Sequence, residues 1–195
     1  MSAEFIRSAH RSEDFLRDGR PQLLLAGRSN VGKSSLLNRL LGKKGLARVS
    51  STPGRTRAVN YFLVNGRFYL VDLPGYGYAR AGREERREWA ELVDGFVREA
   101  LPRAGVILLV DAKVGATSKD SAAYQYLESL GAPITVVATK IDQVPRSKRQ
   151  AALAAIRRSL ELDENRELMA VSAVSGEGLK QLWSEIGLQL ETSAR

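Results

Sequence analysis

Gly27-Arg28-Ser29-Asn30-Val31-Gly32-Lys33-Ser34 follows an apolar run at residues 22–26 and opens a helical stretch at residues 33–41. A phosphate-binding loop requires that strand-to-helix context. Its glycines let the backbone curl until N–H groups point inward at α- and β-phosphate oxygens, and the helix start adds partial positive charge. Lys33 is placed to reach the β/γ oxygens, and the Ser34 hydroxyl to ligate Mg²⁺.

Short apolar runs recur on either side of that loop, at residues 22–26, 68–71, 106–110, 134–138 and 167–171. Unbroken apolar strands belong to a sheet covered on both faces. Amphipathic stretches at 33–41, 84–101, 119–130, 147–160 and 179–190 alternate with them, which predicts an α/β fold with a doubly wound, mainly parallel sheet. Residues 59–64 and 67–71 flank Asn65-Gly66, the pair favoured in two-residue hairpins, so one antiparallel edge strand is expected. Phe5-Ile6 marks a further strand start. The expected organisation is a single domain over 1–195, with an N-terminal arm at 1–20 and a core at 21–190.

Three more segments sit at strand ends. Asp72-Leu73-Pro74-Gly75 follows the run at 68–71, where a nucleotide hydrolase keeps its acidic strand end. Asp72 is expected to hold Mg²⁺ through a water, and the Gly75 N–H to meet the γ-phosphate. Thr139-Lys140-Ile141-Asp142 follows the run at 134–138. A carboxylate there accepts from both the ring N1–H and the exocyclic amine of guanine, a donor pair that adenine lacks, so Asp142 selects GTP. The Lys140 stem is expected along the base. Ser172-Ala173, after Val171, fits a loop whose backbone contacts the guanine oxygen. The polar loop Ser50-Ser-Thr-Pro-Gly-Arg-Thr-Arg57 is a candidate switch, with Thr56 the chosen Mg²⁺ ligand and Thr52 and Ser51 as alternatives on spacing.

The formal net charge is +8, and it is unevenly spread. Between Gly19 and Val71 there are ten Lys and Arg and no Asp or Glu, which suits a phosphate-rich partner such as nucleic acid. The chain has no cysteine, which excludes disulfides and thiolate metal sites. No apolar run approaches the ~20 residues that cross a bilayer, so a cytoplasmic protein is expected.

Gly27-Arg-Ser-Asn-Val-Gly-Lys-Ser-Ser35, Thr52-Pro-Gly-Arg-Thr56, Asp72-Leu-Pro-Gly-Tyr-Gly-Tyr78 and Thr139-Lys-Ile-Asp142 together resemble the EngB family of bacterial ribosome-biogenesis GTP-binding proteins. The resemblance implies a Ras-like P-loop GTPase domain, acting in assembly of the large ribosomal subunit and needed for cell division and septation. It assigns Mg²⁺ to Ser34 and Thr56, and the γ-phosphate side to Gly54, Arg55, Thr56, Arg57 and Ala58 together with Asp72, Leu73, Pro74 and Gly75. The base falls to Thr139, Lys140, Ile141 and Asp142, with Val171, Ser172 and Ala173 at its rim. Lys33, Thr56 and Gly75 form the expected catalytic set. Two departures touch the rim: Lys113 stands where the family usually has Arg, and the last motif reads Ser172-Ala173-Val174-Ser175. Tyr76 occupies the place of a water-orienting Gln, so intrinsic hydrolysis is expected to be slow. Asn30 is a candidate holder of K⁺, with Arg55, Arg57 or the ribosome as other sources of that charge. Expected partners are GTP/GDP, the large subunit and its rRNA, and the chain is expected to be a monomer. The competing function is a nucleotide-gated RNA-binding scaffold in which hydrolysis is incidental.

Overall fold

The computed structural model describes residues 2–43, 45–47, 58–76 and 83–193. Arg48, Ser51, Thr52, Gly54, Arg55, Thr56, Arg57 and Tyr78 lie outside the described residues. The strands are β1 (Ala3–Ala9), β2 (Gln22–Gly27), β3 (Val59–Val64), β4 (Phe68–Asp72), β5 (Ala104–Asp111), β6 (Ile134–Thr139) and β7 (Leu168–Ala170). The helices are α1 (Lys33–Leu40), α2 (Arg83–Ala100), α3 (Ser118–Ser129), α4 (Arg146–Ser159) and α5 (Leu179–Ser193).

All seven strands form one sheet in the order β1-β3-β4-β2-β5-β6-β7. β3 pairs antiparallel with both β1 and β4, and every other pairing is parallel. The reversed strand expected from the hairpin is therefore present, one place in from the edge. β1 covers it, so the N-terminal segment read as an arm supplies the outermost strand. A register shift between Phe5 and Arg7 interrupts β1. In the hairpin itself Asn65 and Gly66 both hold positive φ, 50° and 67°, and the Arg67 N–H donates to the Val64 carbonyl at 2.9 Å. Pairing resumes at Val64 with Phe68, so Arg67 belongs to the turn and not to β4 as the sequence suggested.

Every residue of β2, β5 and β6 is buried, as continuous apolar runs require. Their side chains alternate between two cores. Leu23, Leu25, Ile107, Leu109 and Val137 meet Leu36, Leu37 and Leu40 of α1 and Leu182 and Ile186 of α5. Leu24, Ala26, Val106, Leu108, Val110 and Val136 meet Phe96 and Val97 of α2, Tyr124 and Leu127 of α3 and Ile156 of α4. Each fully buried aliphatic side chain contributes about 1.5–3 kcal/mol, so this two-sided packing is what holds the strands parallel and in register.

The chain leaves β2 through α1 toward β3 and β4 on one side. It leaves β5 through α3 toward β6 on the other. Such a divergence opens a crevice beyond the carboxyl ends of the strands, and ligands of open α/β sheets bind there. Gly27, Asp72, Asp111 and Thr139 each end a strand along that edge.

Tyr61 of β3 is fully buried and packs edge-on against Tyr69 and Phe96 at centroid distances of 5.8 and 5.9 Å. Its hydroxyl accepts the Leu16 N–H at 3.3 Å, tying the segment after β1 to the sheet. Burial pushes the phenol up to about 12. The unfolded chain loses this proton near pH ~10 while the folded chain keeps it, so stability is fully present below that pH and lost above it. Tyr61→Phe should therefore flatten the alkaline fall in unfolding free energy, measured by urea denaturation between pH 9 and 11.5, by up to about 1.4 kcal/mol per pH unit. An unchanged slope would place the ionising phenol elsewhere.

Candidate functional site

The loop from Gly27 to Ser34 wraps the end of β2. Asn30 and Gly32 take positive φ, 66° and 99°, and at Gly32 this left-handed value turns the chain into α1 with no Cβ to clash. The loop is pinned at its base by the Val31 N–H, which donates to the Arg28 carbonyl at 3.1 Å. The first α1 bond is from the Leu36 N–H to the Gly32 carbonyl. Among the described residues the N–H groups of Asn30, Gly32, Lys33, Ser34 and Ser35 have no acceptor. Five amides around one helix start are suited to phosphate oxygens.

Lys33 and Asp72 are both buried and form an ion pair between Nζ and Oδ1. The pair joins the start of α1 to the end of β4, so the cation and the carboxylate expected to serve phosphate and Mg²⁺ lie side by side. Ser34 is half-buried next to it in sequence. A hydroxyl and a carboxylate are hard oxygen donors of the kind Mg²⁺ takes alongside phosphate oxygens and waters. The residues present thus fit the metal.

The segment after Asp72 is stitched to the same loop. The Ser29 N–H donates to the Tyr76 carbonyl at 3.1 Å and the Tyr76 N–H to the Gly27 carbonyl at 3.3 Å, a short parallel bridge. Gly75 lies so close to Ser29 that a Cβ on it would sit 3.0 Å from the Ser29 nitrogen and 3.1 Å from its Cα. Only glycine fits there without displacing the loop. Leu73 and Pro74 are buried beneath. The Tyr76 phenol does not stand at a water-orienting position as an amide would; its hydroxyl donates to Asp120 Oδ1 at 2.9 Å.

The base-recognition segment is tied to the phosphate loop through two side chains. The Thr139 hydroxyl lies 2.6 Å from the Val31 carbonyl and 3.2 Å from the Val110 carbonyl, so this residue acts through the loop, with its hydroxyl engaged. Lys140, at φ 56°, sends Nζ to the Asn30 carbonyl and to Asp111 Oδ2, both at 2.7 Å, and its stem passes over Gly32. Ile141 donates its N–H to the Val171 carbonyl at 3.2 Å. Asp142 is exposed, and its carboxylate has no partner among the described residues. In the neighbouring loop the buried Ser172 Oγ accepts the N–H groups of Val174 and Ser175 at 3.2 and 2.9 Å, so its side chain shapes the turn beside Ala173. Ala58 is buried at the start of β3.

Two residues outside the expected set complete the site. Asp111 ends β5 and accepts the N–H groups of Lys113 and Val114 besides Lys140, so it fixes both the rim loop and the Lys140 stem. Asp120 is the acid of a capping box with Thr117, a Thr-x-x-acid spacing that is visible in the sequence.

Lys33→Ala would leave Asp72 buried without its cation. Breaking a buried pair in this way costs about 3–5 kcal/mol. Urea denaturation should show a loss approaching that size, largely restored by adding Asp72→Asn, with both variants failing to bind Mg²⁺·GTP in calorimetry. An unchanged midpoint in the single variant would mean the pair contributes nothing to the folded protein.

The family described as "50S ribosome-binding GTPase" matches residues 22–140, and the elongation factor Tu GTP-binding domain matches residues 97–192. A probable GTP-binding protein EngB of Pelotomaculum thermopropionicum is 47% identical over 194 residues, covering 100% of this chain and 98% of that protein. One of Geobacillus kaustophilus is 41% identical, covering 94% of each. The crystal structure of a probable GTP-binding protein EngB superposes with a TM-score of 0.73 at 24% identity, over 88% of this chain and 99% of that one, which speaks to the fold. Era in complex with MgGDPNP and nucleotides 1506–1542 of 16S ribosomal RNA gives 0.65 at 26% identity, over 85% of this chain and 55% of that one. The chain belongs to the EngB family of GTP-binding proteins and is a P-loop GTPase.

Proposed function

We propose that this GTPase is a slow switch in assembly of the large ribosomal subunit, working in the cytoplasm and needed for normal cell division and septation. The carrying observation is the site at the carboxyl edge of the sheet. Among the described residues, five amides without acceptors and Lys33 lie at one end, and the Asp142 carboxylate, without a partner, lies at the other. The ribosomal half is supported by the family description, by the basic segment between Gly19 and Val71, and by the likeness to Era, whose crystal structure holds MgGDPNP and 16S rRNA nucleotides.

In this proposal Gly27 through Ser34 cradle the α- and β-phosphates and Lys33 binds the β/γ oxygens. Ser34 and Thr56 hold Mg²⁺, with Asp72 reaching it through a water; the ion, when bound, neutralises charge on the β/γ oxygens. Gly54, Arg55, Arg57, Ala58 and Gly75 enclose the γ-phosphate. Asn30 holds K⁺ beside the phosphates. Asp142 accepts both guanine donors, Lys140 and Ile141 floor the base, and the Ala173 amide meets its oxygen. Hydrolysis is slow because the side chain after Gly75 is a phenol bonded to Asp120 instead of a free amide.

Asp142→Asn exchanges an acceptor for a donor where guanine presents its amine, so preference should move from GTP toward xanthosine triphosphate. Nucleotide competition showing unchanged GTP selectivity would remove the base assignment. For the ribosome, the form bound to a non-hydrolysable GTP analogue should co-sediment with large subunits more tightly than the GDP form. Charge reversal at Arg48 should lower both the affinity and the steepness of its salt dependence by about one unit of log–log slope. Equal affinity in both nucleotide states across a KCl series would leave a GTPase with its partner surface elsewhere.

A further inference from the structure

Tyr76 is bonded in two directions. Its backbone forms the bridge to Gly27 and Ser29, and the Ser29 hydroxyl donates to the Gly75 carbonyl at 3.4 Å. Its side chain reaches the opposite way, to Asp120 near the start of α3. Asp120 is 1% exposed, and its second oxygen accepts the Thr117 N–H at 2.8 Å and the Thr117 hydroxyl at 2.7 Å. The phenol is thus the only donor to Oδ1 among the described residues, and a buried carboxylate oxygen left without a donor is costly. Burial, with the Asp120 charge beside it, raises the phenol well above its ordinary value against the pull of Arg28, so it stays a proton donor at physiological pH.

We infer that Tyr76 is a positioning residue for the third phosphate: its bond to Asp120 anchors the backbone of Gly75 to the α3 N-terminus and so sets where the Gly75 amide points. This rests on the proposal that the Gly75 N–H meets the γ-phosphate. The close approach to Ser29 constrains Gly75 from the P-loop side, and a glycine has no side chain with which to fix its own peptide plane. The neighbouring phenol supplies that constraint from the other side. Because GDP has no third phosphate, the anchor acts on GTP alone. Two separate elements, the P-loop and α3, therefore both have to be in place for GTP to be told from GDP. The α3 start becomes part of nucleotide recognition without touching nucleotide.

The test is calorimetry of three variants with Mg²⁺·GTP analogue and with Mg²⁺·GDP. Tyr76→Phe keeps the ring and its packing while deleting the donor. It should weaken the analogue roughly five- to tenfold, the size of one hydrogen bond, and leave GDP within about twofold. A loss of folded protein alone would lower both nucleotides equally, so the ratio separates positioning from stability. Asp120→Asn keeps an acceptor for Thr117, and in combination with Tyr76→Phe it should weaken the analogue no further than Tyr76→Phe alone. Gly75→Ala reports on the underlying proposal. Selective loss in both Gly75→Ala and Tyr76→Phe supports the inference. Selective loss in Gly75→Ala with an unchanged analogue-to-GDP ratio in Tyr76→Phe overturns it and leaves the Gly75 contact standing. No selectivity in either variant overturns both.

Discussion

The ion pair between Lys33 and Asp72 is the contact on which the rest of the site depends. It couples the start of α1 to the end of β4 at a place with little access to water. Two charges held in such a place must be partnered, since either one alone carries a large desolvation cost. In the proposed function a triphosphate and a divalent cation bring opposite charges of their own, so each protein charge would exchange its present partner for one on the ligand. The sheet makes this possible by holding β2 and β4 in parallel register from Gln22 with Tyr69 to Leu25 with Asp72.

The segments proposed to recognise phosphate and base are linked by a second group of contacts. Thr139 and Lys140, at the end of β6, bond the Val31 and Asn30 carbonyls of the P-loop, and Asp111 holds Lys140 from β5. Two hydrogen bonds thus join the segment after β6 directly to the phosphate loop. Thr at position 139 suits this job: its short branched side chain reaches two carbonyls from one buried position. Arg149 adds a further brace, bonding Glu177 at 2.7 Å and so fixing the loop that carries Ala173.

Much of the fold was legible in the sequence because buried parallel strands are written as unbroken apolar runs, and those at β2, β5 and β6 read directly. β1 was legible only as Phe5-Ile6, since its interior residues are exposed or half-buried and a register shift breaks their alternation. The hairpin was found by Asn65-Gly66, but the turn bond that keeps Arg67 out of β4 depends on backbone geometry that the pair alone does not specify. Lys33, Asp72 and Asp142 were singled out by their spacing; Asp72 ends β4, Lys33 opens α1 and Asp142 lies in the short turn after β6. The bond between Tyr76 and Asp120 spans 44 positions and joins two loops, and such a meeting is decided by how α3 packs on the sheet. The pairing of Lys33 with Asp72 was hidden for the opposite reason: each residue announced a ligand, and neither announced the other.

The most direct measurement is a crystal structure of the protein with Mg²⁺ and a non-hydrolysable GTP analogue. The account predicts Lys33 Nζ moved from Asp72 onto the β/γ oxygens, Ser34 on the metal, and both Asp142 carboxylate oxygens on the guanine edge. Lys33 still paired with Asp72 in the presence of bound nucleotide, or a base lying away from Asp142, would contradict it.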